Sequence, residues 1–126
     1  MHPSVLFLDD NEDLRELMPI LLKSSLDVDS LCFASLGELQ NHLEDVLLAK
    51  VAILDINLGA DVPDGIDAFN WLIKNGFRGK VLFLTGHARA NPLVARAERS
   101  GAEVLEKPVH PDQLIFSVMR ALREVP

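Results

Sequence analysis

The sequence predicts an α/β fold, a doubly wound five-stranded parallel sheet with strand order 2-1-3-4-5. Three observations lead there. Val5–Leu8, 51–54 and 81–84 are solid four-residue apolar blocks rather than alternating ones, as in strands buried on both faces. Between the blocks, apolar residues recur at helical spacing. Strand and helix alternate five times over 126 residues with short connections, which calls for right-handed crossovers. Five strands are too few for an eight-stranded barrel, so an open sheet remains.

In chain order, strand Val5–Leu8 precedes a helix whose stripe is Leu14, Leu17, Met18, Leu21 and Leu22. Pro19 falls inside that stripe and removes a backbone donor, which predicts a kink or a loosened turn. A second strand spans 28–33, and Leu36, Leu39, Leu43, Val46 and Leu47 mark a second helix. After strand 51–54 comes a helix with Ile66, Phe69 and Ile73 on one face. Strand 81–84 is followed by an Ala/Arg-rich helix over 92–100, with Pro92 near its start and Gly101 at its stop. Val104-Leu105 is the short fifth strand, and Leu114, Val118, Ala121 and Leu122 line the last helix.

Composition narrows the function classes. At 48% hydrophobic and 25% charged residues the chain is expected to fold, as one domain over 1–126. No apolar run approaches the roughly 20 residues that cross a bilayer. No basic-then-apolar opening marks a signal peptide, so a cytoplasmic protein without membrane contact is expected. A net charge of −7 argues against direct nucleic-acid binding. The lone Cys32 excludes an internal disulfide and reads as a small buried hydrophobe.

In open sheets of this kind, ligands bind beyond the C-terminal strand ends, at the switch point between strands 1 and 3. Strand 1 ends in Asp9-Asp10, strand 3 in Asp55 and strand 4 in Thr85-Gly86, while strand 5 leads into Lys107-Pro108. Any one of these could be a helix N-cap. Together they suit chemistry better. Three carboxylates in one crevice repel, and a hard divalent cation relieves that; oxygen donors select Mg²⁺, with Mn²⁺ able to substitute. Carboxylate, metal, lysine and hydroxyl together make a phosphoryl-transfer site, with an aspartate as the candidate nucleophile. Nucleotide-binding glycine loops are absent from the sequence. A haloacid-dehalogenase-like phosphatase would want an Asp-x-Asp, whereas Asp55-Ile56-Asn57 lacks the second acid.

The ordered set Phe7-Leu8-Asp9-Asp10-Asn11-Glu12, Ala52-Ile53-Leu54-Asp55-Ile56-Asn57-Leu58, Leu84-Thr85-Gly86, Gly101-Ala102 and Leu105-Glu106-Lys107-Pro108 resembles the receiver domains of bacterial two-component response regulators. The match runs over essentially the whole chain. This resemblance implies a flavodoxin-like receiver architecture and a signalling switch, not an enzyme acting on a separate substrate. It makes Asp55 the phosphoacceptor, served by a histidine kinase or histidine phosphotransfer protein. Asp10 would ligate Mg²⁺ directly, Asp9 largely through water, with Asp55 and the backbone carbonyl of Asn57 completing the set. Thr85 would bind a phosphoryl oxygen, and Lys107 would pair with the phosphate across a cis Lys107–Pro108 bond. The first helix would dock the kinase, and the region from the helix at 92–100 to the last helix would face the output.

Departures from the family pattern bear on the switch. The 56–64 loop is longer than the common form, and Val104 stands where many members carry Tyr or Phe. His87, two residues after Thr85, is either a modulator of dephosphorylation or a plain loop residue. Trp71 is expected to pack or half-pack, while Arg96, Arg99, Arg120 and Arg123 are either a solvated face or a partner surface. Two other readings stay open: a pseudo-receiver scaffold that never takes phosphate, and a Mg²⁺-dependent phosphohydrolase. Stand-alone regulator, relay shuttle and receiver of a longer protein fit the sequence equally.

Overall fold

Strand β1 (Val5–Leu8) is apolar at every position and wholly buried, because it lies between two strands and beneath helices on both faces. The computed structural model describes residues 3–56, 64–86 and 92–124. After β1 come α1 (Glu12–Leu26), β2 (Ser30–Phe33), α2 (Leu36–Gln40), α3 (Leu43–Leu48), β3 (Val51–Asp55) and α4 (Gly65–Lys74). Then follow β4 (Lys80–Thr85), α5 (Pro92–Arg99), β5 (Glu103–Glu106) and α6 (Pro111–Glu124). The sheet is parallel throughout, in the order β2-β1-β3-β4-β5, as the sequence predicts.

Alternate residues along each strand feed two cores. Val5, Phe7, Val51, Ile53, Leu82, Leu84 and Leu105 face α1 and α6, meeting Met18, Leu22, Leu114 and Val118. Leu6, Leu8, Ala52, Leu54 and Phe83 face the other way, against α2 to α5 through Leu39, Val46, Leu72 and Val94. Register aligns Leu8 with Leu54 and Asp55 with Leu84, so the polar residues that end the inner strands emerge along one rim.

Several expected elements are modified. The stripe from Leu36 to Leu47 forms two short helices, broken at Asn41 and His42. His42 leaves the helical region (φ −124°, ψ 37°), its ring packs on Phe33 at 5.3 Å, and its Nδ1 sits 3.0 Å from the Glu38 carbonyl. In α4 Ile66 is buried and Phe69 packs on the core as expected, but Ala68 and Leu72 complete the inward face and Ile73 is 53% exposed. A reciprocal cap between Asp64 and Asp67, at 2.9 and 3.0 Å, fixes that helix start. Leu17, expected on the buried stripe of α1, is exposed. Helix α1 continues through Pro19 to an Asp27 cap in the left-handed region. Trp71 is half-buried and packs on the core, and Gly101 ends α5 at φ 87°. No helix among the described residues is long and apolar enough to cross a membrane.

Candidate functional site

Asp9 follows β1 and is fully buried; its N–H donates to the Phe33 carbonyl at 3.1 Å. Its Oδ1 accepts the Asn11 N–H at 2.9 Å, and Asn11 in turn caps α1 by accepting from Leu14 at 3.1 Å. Asp10 is exposed beside it. Asp55 ends β3 and is 4% exposed. Oxygens of Asp9, Asp10 and Asp55 all lie within 4.8 Å of one another.

Lys107 reaches this cluster from the far side of the sheet. Its Nζ stands 2.7 Å from Asp9 Oδ2 and 3.3 Å from Asp55 Oδ2. Burial pushes the Lys107 ammonium down, but the Asp9 hydrogen bond and the charges of Asp55 and Asp9 outweigh it, and the net shift is upward. The side chain is therefore a fixed cation. The Lys107 backbone N–H donates to the Thr85 carbonyl at 2.7 Å, coupling the residue to the end of β4. Thr85 is buried, one residue beyond the Leu84 that pairs with Asp55. The Lys107–Pro108 bond is cis, as expected.

Three carboxylates thus face one ammonium, and Asp10 makes no ion pair among the described residues. Such a set of hard oxygen donors with excess negative charge fits a divalent cation of the Mg²⁺ or Mn²⁺ kind. Of the residues expected at the site, Asp9, Asp10, Asp55, Thr85 and Lys107 come to one rim. Asn57 and His87 lie outside the described residues.

Two neighbours were not singled out by sequence. Arg15 donates from Nη1 to the Asp9 carbonyl at 3.0 Å. Its signal was available: one helical turn after Asn11, it faces back toward the strand end. Gly65 gave none. A Cβ there would sit 2.2 Å from the Asp55 carbonyl oxygen and 2.9 Å from Ile56 Cα, a closeness created only by the fold. The Gly65 N–H donates to the Ile56 carbonyl at 2.9 Å, tying α4 to the end of β3.

A doubly wound parallel sheet with an acidic, lysine-countered pocket at its switch point defines a phosphoacceptor signalling module rather than a catalytic enzyme. The chain belongs to the response regulator receiver domain family, which matches residues 5–119 and places it in two-component signalling. It is 33% identical over 123 residues to the C4-dicarboxylate transport transcriptional regulatory protein DctD of Pseudomonas aeruginosa, covering 94% of this chain. The chain spans about a quarter of that relative's length (25%). Among solved structures, the receiver domain of NtrX from Brucella abortus is 26% identical with a TM-score of 0.82, over 95% of this chain and 98% of that one. A response regulator receiver protein from Pseudoalteromonas atlantica is 27% identical with a TM-score of 0.81, over 96% and 98%.

Proposed function

We propose that the chain is one receiver unit, over 1–126, that switches state when Asp55 accepts a phosphoryl group from a phosphohistidine. The observation that carries this is the placement of Lys107 Nζ between the buried carboxylates of Asp9 and Asp55, with Asp10 open to solvent beside them. Asp55 Oδ attacks phosphorus, the phosphorus–nitrogen bond breaks, and the imidazole leaves with the electron pair. Lys107 exchanges part of its contact with Asp55 for a phosphoryl oxygen, and the Thr85 hydroxyl donates to another. Asp9, Asp10, Asp55 and the Asn57 carbonyl would hold Mg²⁺, or Mn²⁺ in its place. When bound, the cation neutralises phosphoryl oxygens and offsets the repulsion within the acid cluster.

The donor would be a histidine kinase or a histidine phosphotransfer protein. A groove of about 440 Å³ between α1 and α6 opens beside Lys107, lined by Leu14, Leu17, Leu21, Pro108, Val109 and Leu114. An apolar helix face carrying the phosphohistidine fits there. DctD, named as a transcriptional regulatory protein, suggests that the signal passes to an output domain or protein. We place the protein in the cytoplasm, without nucleic-acid or membrane contact of its own.

Incubation with acetyl phosphate and Mg²⁺, followed by intact-mass spectrometry, tests the reading. One phosphoryl adduct is expected on the wild-type protein and none on Asp55→Asn. An unmodified wild type would indicate a pseudo-receiver scaffold; rapid turnover without an adduct would indicate a phosphohydrolase.

A further inference from the structure

The geometry assigns Arg15 as a positioning residue for the acid pair, acting through the main chain of Asp9. This rests on the reading of Asp9 and Asp10 as cation ligands. Asp9 is tied at every polar atom: N–H to Phe33, Oδ1 to the Asn11 N–H, Oδ2 to Lys107, and carbonyl oxygen to Arg15. Three of these bonds fix the side chain and the incoming strand. Only the Arg15 bond, at 3.0 Å, fixes the Asp9–Asp10 peptide plane among the described residues.

That plane sets where Asp10 points. Asp10 makes no side-chain hydrogen bond or ion pair among the described residues, so the backbone that carries it, with its own rotamer, places its carboxylate near Asp9 and Asp55. Arg15 stands well placed to hold the plane. Its own N–H donates to the Asn11 carbonyl at 3.1 Å, so it is rooted in the first turn of α1. The guanidinium is planar, permanently charged and partly buried, and its bond to a carbonyl is charge-assisted. Without it the peptide is free to rock, and the three carboxylates converge less often. The cost falls on cation affinity. With the cluster filled, Asp10 would be held as a ligand, and the phosphoryl step would proceed at its usual rate.

The test compares wild type with Arg15→Met, which keeps the stem and removes the donor, and Arg15→Lys. Mn²⁺ affinity is read by water proton relaxation, and folding by thermal melting without metal. A folded Arg15→Met protein should lose Mn²⁺ affinity on the order of tenfold, the usual effect of removing an outer-shell partner. Arg15→Lys should recover part of it. In acetyl phosphate labelling, the Mg²⁺ concentration for half-maximal rate should rise by the same factor while the rate at saturating Mg²⁺ is kept. Mn²⁺ affinity within twofold of wild type, or a lost saturating rate at unchanged half-saturation, overturns the assignment. Should Arg15→Met not fold, nuclear magnetic resonance of the wild type decides. The Arg15 guanidinium and Asp9 carbonyl signals should move together during Mg²⁺ titration, and a still guanidinium overturns it. Wild-type protein that binds no Mn²⁺ refutes the ligand reading itself.

Discussion

Cys32 illustrates how a single side chain's environment sets its chemistry. It lies on β2, partly buried against the core formed with α1, and burial pushes its thiol up from the ordinary value. The thiolate is the reactive species, so alkylation of the folded protein by iodoacetamide at pH 8 should be several-fold slower than in urea. Because the folded thiol gives up its proton later than an unfolded one, stability is whole below the ordinary thiol range. It should decline as pH rises through that range, a loss that Cys32→Ser would remove. Equal alkylation rates in buffer and urea would contradict this account. At this scale the acid cluster and Lys107 were legible, because strand ends and residue types announce them. Gly65 was not, since it acts through bare space, and Arg15 had only its place one turn after Asn11 to mark it, since it acts on a carbonyl.

Among the elements, α4 combines a fixed start with a partly read stripe. Ile66 and Phe69 face the core as their spacing suggests, but Ala68 and Leu72 rather than Ile73 complete the inward face, and the Asp64–Asp67 cap fixes where the helix starts. Asp64→Ala should cost about 1 kcal/mol in urea denaturation. A null effect would mean that packing alone sets the helix start. The break between α2 and α3 escaped the sequence for a related reason: apolar periodicity runs on through Asn41 and His42, whose backbone contacts make the turn. Strand β5 bears on signalling. Val104 is half-buried, pairs with Phe83 and has few rotamers to exchange, so little can swing there when Thr85 moves. With beryllofluoride and Mg²⁺, amide resonances of Gly86 and of Pro92-to-Ala95 on α5 (Pro92 itself lacking an amide proton) should shift strongly, those of Val104 and Leu105 weakly. Large methyl shifts confined to Val104 or Leu105 would return the switch to strand 5. Part of the expected path, 87–91, lies outside the described residues.

For the molecule as a whole, the acid rim works against the two cores beneath it. The parallel doubly wound sheet was readable because β1 and the cores of β3 and β4 (51–54 and 81–84) are uninterrupted apolar blocks, a pattern that a sheet covered on both faces rewards. The same register gathers carboxylates that a protein selected for stability alone would separate. Asp10 makes no ion pair among the described residues, so Asp10→Asn should melt a few degrees above wild type in EDTA. Wild type should gain thermal stability from millimolar Mg²⁺ by ligand linkage, and the variant should not. Differential scanning calorimetry reads both, and an Asp10→Asn protein that melts below wild type would show that the rim is not under charge strain.

Gly65 gives the acceptor site an unusual sort of address. Its missing Cβ is crowded by the main chain of Asp55 and Ile56, atoms that no rotamer change can move aside. Gly86, by contrast, has nothing among the described residues within 4 Å of where its Cβ would stand. The two glycines flank the same rim but tolerate change differently. At 65 any side chain pushes on the peptide that carries the acceptor. The acceptor is thus held in place in part by one hydrogen atom, the one that stands at position 65 where any other residue would carry carbon.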